Sequence, residues 1–147
     1  WSLNQMPIKE IESNIISSQN FDFTNRIEGF LSGKSIEKNY YKLFKEKLTA
    51  KDIFFQYRKK NSNAVKFINN YKQQLARCLV IVVSTIDPDA IVFGGGVSNE
   101  IDFLEEIKEN VSGYLNEKNL KTVFLKPIYG DASGVRGAAL LGRQSLT

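Results

Sequence analysis

The sequence contains no histidine, one cysteine, one methionine, one tryptophan and three prolines in 147 residues. Without histidine, Cys/His zinc sites, Ser-His-Asp triads and Cys-His dyads cannot be assembled from this chain alone. The lone Cys78 excludes an intrachain disulfide framework. No apolar stretch approaches the 18 residues that a bilayer-crossing helix needs; the longest runs only from Cys78 to Val83. The first residue is not Met, and no signal-peptide pattern follows it. A chain opening on Trp1-Ser2-Leu3 is expected to be a piece of something larger.

What is present is globular in character, with 42% hydrophobic and 24% charged residues. A chain of this length makes one ordinary domain and can bury roughly 68–70% of its unfolded surface without disulfides or metal. Charge is unevenly spread. Between Lys34 and Arg77 twelve Lys or Arg face three acids (Glu37, Glu46 and Asp52), a local +9 within an overall +4. Such a basic middle fits an anionic partner, or simply a solvated, Lys-rich helical surface. The second reading is the simpler, and no nucleic-acid partner is expected.

Residues 1–26 are rich in Asn, Ser and Gln with weak periodicity, and read as loop. Ile27, Phe30 and Leu31 form one helical face before Ser32-Gly33. A second helix is expected from Ser35, with Ile36, Tyr40, Leu43 and Phe44 as its apolar stripe. Thr49 is the expected N-cap of a third, carrying Ile53, Phe54 and Tyr57. Val65, Ile68, Lys72, Leu75, Leu79, Val82 and Ile86 alternate spacings of three and four, predicting a long helix that Asp87-Pro88 ends. Its second half is apolar all round and is expected to be buried on several sides. A strand, Ala90–Phe93, leads into Gly94-Gly95-Gly96. An amphipathic helix around Phe103–Leu115, a strand at Thr122–Leu125 and a small-residue helix over 131–142 follow. Strand, helix, strand, helix in this order predicts α/β with parallel pairing.

Three clusters can carry chemistry. Glycines after a parallel strand remove Cβ atoms, so a ligand can approach the backbone amides of Gly94-Gly95-Gly96-Val97. Ser98 or Asn99 can then cap the following helix, whose positive end favours an anion. The run is not a dinucleotide fingerprint, because Asn99 holds the third glycine position. It fits a tight turn as well as a nucleotide site. In Gly130–Ala139, Gly134 and Gly137 share one side of the predicted helix, which suits either close helix packing or a planar ligand. Asp131 can cap that helix. In Ile27–Gly33, Glu28 can accept hydrogen bonds from sugar hydroxyls or complement a helix N-terminus. Gly33-Lys34-Ser35 shares the ending of a phosphate-binding P-loop, but the first glycine position holds Glu28 and no strand precedes it. The P-loop reading is discarded.

Together, Ile27-Glu28-Gly29-Phe30-Leu31-Ser32-Gly33, Ile86-Asp87-Pro88-Asp89-Ala90-Ile91-Val92-Phe93-Gly94-Gly95-Gly96-Val97-Ser98-Asn99 and Gly130–Ala139 resemble the C-terminal half of ROK proteins (repressors, open reading frames, kinases). Order and spacing agree over about residues 27–142. Within that family the chain is most similar to fructokinase/mannokinase-type sugar kinases. The resemblance implies the α/β, actin-like ATPase fold of hexokinases (ribonuclease H-like), here its C-terminal lobe, helix-rich with a small, mostly parallel sheet. Residues 1–147 would form that lobe, with 1–26 a lead-in segment and 27–147 the helices and an adenosine-binding α/β unit.

The resemblance also assigns roles. Gly94, Gly95, Gly96 and Val97 match the adenosine-contacting turn. Gly134, Gly137 and Ala138 match the helix linking it to the interdomain hinge. Glu28 matches the acid that hydrogen-bonds the sugar, and Ser32 and Gly33 match a turn leading toward the nucleotide. The family's phosphate loops and catalytic aspartate match nothing here and are expected upstream, in an N-terminal lobe. So no catalytic residue is assigned within this chain. Gln19–Arg26 lack the cysteine cluster of many members, so no structural zinc is expected.

The expected function is therefore the C-terminal part of a cytoplasmic, ATP- and Mg²⁺-dependent hexose kinase of fructokinase type. Its partners would be a hexose, ATP, the N-terminal lobe and a second copy in a homodimer, with no membrane. The alternative is the sugar-sensing domain of a ROK transcriptional repressor. An Asp-x-Gly-Gly-Thr loop upstream would mark the kinase, a winged helix the repressor.

Overall fold

Several of the described helix boundaries fall where side chains or tight turns satisfy the open N–H and C=O groups at helix ends. A computed structural model describes residues 28–117 and 119–128. The elements are α1 (Glu28–Leu31), α2 (Gly33–Phe44), α3 (Ala50–Arg58), α4 (Ser62–Ile86), β1 (Ala90–Val92), a 3₁₀ turn (Gly96–Asn99), α5 (Leu104–Leu115) and β2 (Val123–Leu125). The loop expected over 1–26 and the helix expected over 131–142 lie outside the described residues. No described helix is long and apolar enough to cross a membrane.

Ser32 N-caps α2, its Oγ accepting the Ser35 N–H at 3.3 Å, so the helix begins at Gly33 rather than Ser35. Thr49 caps α3 as expected, in a reciprocal box: Oγ1 accepts the Asp52 N–H at 3.2 Å, and the Asp52 carboxylate accepts the Thr49 N–H at 3.3 Å. Asn61 Oδ1 accepts the N–H groups of Asn63 and Ala64 at 3.0 and 3.2 Å, opening α4. At their far ends, helices turn through non-glycine residues with positive φ: Lys45 (58°), Lys60 (60°), Asp87 (47°) and Asn116 (53°). α4 ends before Asp87-Pro88, as expected, although Asp87 turns left-handed rather than extended.

The chain divides into two units within α4, after Cys78. The first unit has an aromatic core. Tyr71 of α4 stacks on Phe30 of α1 at 5.9 Å between centroids and meets the edge of Phe54 of α3 at 6.1 Å. Tyr40 of α2 packs edge-on against Phe67 at 5.3 Å. Ile36, Ile53 and Ile68 fill the space between, all fully buried. Lys72, the polar member of the long-helix stripe, is buried too. Its Nζ donates to Tyr57 Oη at 2.6 Å and lies 4.8 Å from that ring's centroid, so the ammonium is satisfied where it sits. Burial pushes the Cys78 thiol up to about 11.

In the second unit, β1 and β2 pair in parallel, as expected, with Ala90 opposite Val123, Ile91 opposite Phe124 and Val92 opposite Leu125. Phe124 meets Phe93 edge-on at 5.8 Å. Ile107 and Val111 of α5 are fully buried, with Ile101 and Phe103 close behind.

One expectation fails. The second half of α4 is not buried on several sides: Leu79 and Val83 are inside, whereas Ile81 is 36% and Ile86 66% exposed. Alternating spacings of three and four have a period of 3.5, which drifts about 20° per heptad on a straight α-helix. Over the three heptads from Val65 to Ile86 that drift reaches roughly 60°, and carries Val82 and Ile86 off the buried face.

Lys45 holds a left-handed conformation that costs an L side chain about 1–2 kcal/mol and glycine almost nothing. Lys45→Gly should stabilise the protein by about 0.5–1 kcal/mol after glycine's own entropy cost. A urea melt should show a higher midpoint at unchanged slope.

Candidate functional site

The strand ladder fixes where the glycine run begins. Phe93 N–H donates to the Leu125 carbonyl at 2.9 Å, so pairing reaches the residue directly before Gly94. Gly94-Gly95-Gly96 thus sits at the carboxyl end of a parallel strand, where α/β proteins place their ligands.

Gly95 has φ 84° and ψ 169°, a conformation closed to side chains in practice. Gly94 and Gly96 have no positive φ, and no described atom stands within 4 Å of where their Cβ would lie. Backbone geometry therefore requires one glycine of the three, and packing requires none. All three are exposed, and among the described residues their amides donate no hydrogen bond. A surface without Cβ atoms and with open N–H groups suits a ligand that lies close against the backbone.

The expectation that Ser98 or Asn99 caps the following helix is not met. Ser98 is buried, and its Oγ donates to the Gly95 carbonyl at 2.6 Å while its N–H donates to the same oxygen at 3.0 Å. The 3₁₀ turn Gly96–Asn99 intervenes, and α5 starts only at Leu104, with Phe103 as N-cap and no side-chain cap. A serine three residues beyond a free carbonyl closes the tight turn with its own hydroxyl, before an α-helix can begin. Among the described residues, α5 therefore places no N-terminus directly after the glycine run to attract an anion.

The remaining residues singled out from the sequence are placed as follows. Val97 is half-buried in the 3₁₀ turn. Glu28 opens α1, a position common to its sugar-binding and helix-dipole readings. Ser32 and Gly33 lie in the first unit, as N-cap and first residue of α2, and the Ser32 hydroxyl is engaged with Ser35. Gly134, Gly137, Ala138 and Asp131 lie outside the described residues. In the basic middle every Lys and Arg except Lys42, Lys72 and Arg77 is exposed, which fits the solvated-surface reading.

Two polar side chains near these residues bond in ways not expected from the sequence. Asn39 is buried in α2, and its Nδ2 donates to the Gly29 carbonyl at 3.4 Å, beside Glu28. Ser98 is the other; its offset of three from a glycine was the available clue.

Comparison with known proteins gives a consistent result. The ROK family model matches residues 24–145. An N-acetyl-D-glucosamine kinase from Photobacterium profundum is 32% identical over 115 residues, covering 78% of this chain and 38% of that protein. The chain thus spans about two-fifths of the length of such relatives. Among solved structures, a ROK family glucokinase from Streptomyces griseus, in complex with glucose and AMPPNP, aligns with a TM-score of 0.70 at 24% identity, over 82% of this chain and 45% of its own. A ROK hexokinase from Thermus thermophilus aligns with a TM-score of 0.67 at 21% identity, over 79% and 39%. These likenesses show the fold: the helix-rich, actin-like ATPase architecture of ROK hexokinases, with a small parallel sheet.

The glycine geometry separates two substitutions. Gly95→Ala should destabilise the protein by about 1–3 kcal/mol through strain at its backbone. Gly96→Ala meets no atom and should be neutral or stabilise by up to about 1 kcal/mol. Parallel denaturant melts of the two variants check this.

Proposed function

The chain belongs to the ROK family, and from that membership we propose that it is the C-terminal, adenosine-binding portion of an ATP-dependent sugar kinase. The observation that carries the reading is the glycine run: exposed amides at the end of β1 that donate no hydrogen bond among the described residues, with glycine at two positions where neither the backbone nor any described neighbour asks for it. Kinase names among the relatives favour this over a sugar-sensing repressor.

In this reading the second unit serves the nucleotide through Gly94–Val97, Gly134 and Gly137, and in the first unit Glu28 accepts a sugar hydroxyl. Among the described residues no group of three or more His, Cys, Asp or Glu is placed to hold a metal ion. We assign Mg²⁺ to the nucleotide phosphates and to the rest of the protein, along with the base that takes the hydroxyl proton, as phosphoryl transfer generally requires. Two of the relatives described are an N-acetyl-D-glucosamine kinase and a glucokinase in complex with glucose, and none is named a fructokinase. We accordingly place a glucose-configured hexose, N-acetyl-D-glucosamine first, ahead of fructose as substrate.

Phosphoryl transfer depends on positioning by several loops. The isolated 147-residue chain should bind adenine nucleotide weakly and phosphorylate no sugar. In the full-length protein, coupled ADP-release assays should give a higher kcat/KM for N-acetyl-D-glucosamine than for fructose; the reverse order would overturn the sugar assignment.

Glu28→Gln keeps size but removes the charge of an acceptor-only group. A charge-assisted hydrogen bond is worth roughly 1.5–3 kcal/mol, so sugar affinity should fall about tenfold to 150-fold, with nucleotide affinity in the absence of sugar unchanged. The helix-dipole alternative predicts instead a stability loss of about 0.3–1 kcal/mol with unchanged sugar binding. Calorimetric sugar titration beside a denaturant melt separates the two.

A further inference from the structure

We infer that Ser98 is a positioning residue for the nucleotide, locking the Gly95–Gly96 peptide so that the Gly96 N–H is presented outward to a hydrogen-bond acceptor of the bound nucleotide. This rests on the adenosine-binding reading of the glycine run.

A peptide between two glycines is the easiest of all to flip. Rotation by about 180° changes only ψ of the first and φ of the second residue, and glycine tolerates both outcomes. Such a loop has no intrinsic reason to keep one amide pointing at a ligand. Here the Gly95 carbonyl is held by two donors from one residue, the Ser98 N–H at 3.0 Å and the Ser98 hydroxyl at 2.6 Å. Ser98 is only 3% exposed, so water competes poorly for that bond. In a planar trans peptide the N–H points opposite to the C=O. With the Gly95 carbonyl turned in toward Ser98, the Gly96 N–H is turned away from it. That amide belongs to an exposed residue, bonds nothing among the described residues, and has open space around its Cα. The serine hydroxyl is therefore spent on orientation, and removing it leaves a single bond to oppose the flip.

The test uses the full-length protein and measures ADP affinity by fluorescence titration, sugar affinity by calorimetry and stability by a urea melt. Ser98→Ala should weaken ADP about two- to tenfold, the range that one neutral hydrogen bond supplies, and leave sugar affinity unchanged. Ser98→Thr, which keeps the hydroxyl, should restore ADP binding. Gly96→Pro removes the presented amide while suiting the first position of a helical turn, and should weaken ADP more than Gly96→Ala, which keeps it. Wild-type ADP affinity in Ser98→Ala, or equal affinities in Gly96→Pro and Gly96→Ala, overturns the inference and leaves the adenosine-binding reading standing. ADP and sugar affinities falling together with the urea midpoint would reduce Ser98 to a structural residue. A wild-type protein that binds no ADP overturns both.

Discussion

Parallel pairing of Ala90–Val92 with Val123–Leu125 is the constraint from which the second unit follows. Parallel strands cannot be joined by a hairpin, so everything from Phe93 to Thr122 has to serve as a crossover that carries the chain back to the starting end. The ladder extends one bond beyond each end of β1, Phe93 N–H to Leu125 C=O and Val123 N–H to Asp89 C=O, both at 2.9 Å. The glycine run is thus the first stretch released from pairing. Its position is set by strand register, and its shape by the closing bond to Ser98. α5 supplies the apolar face, Ile107 and Val111, that such a crossover needs to bury.

The first unit depends on a different device. Tyr71 stands between Phe30 and Phe54 and joins α1 and α3 through one ring on α4. A four-residue helix such as α1 has no stability of its own. Its place is set by that stacked ring and by Asn39 reaching Gly29. Both groups act on the turn that begins with Glu28, so the backbone of α1 is held from within the first unit's own core.

Much of this was legible in the sequence, and the failures have particular causes. Thr49, the end of α4 at Asp87-Pro88 and the parallel strands were readable because each rests on a local rule: a cap, a proline clash, an apolar run between turn signals. The start of α2 was misplaced because Ser32 and Ser35 are both plausible caps, and only Ser32 has the extended backbone a cap requires. The second half of α4 reads as buried on several sides because it is apolar all round after Arg77, but only the face with Leu79 and Val83 is covered and Ile81 and Ile86 are exposed. The sequence offers Ser98 or Asn99 as the cap of the next helix, since it does not distinguish a serine that caps forward from one that bonds back. Gly94, Gly95 and Gly96 look alike in sequence and differ in structure, where a positive φ singles out Gly95 alone.

Cys78 has a practical bearing. It is the chain's single thiol, and burial in the aromatic-rich unit keeps it protonated and shielded at neutral pH. Maleimide chemistry near pH 7 would pass it by. A cysteine introduced on an exposed strand position such as Val92 would then take a fluorophore alone, with no need to remove the native residue. The packing that silences this thiol thus leaves the chain ready for single-site optical or spin labelling.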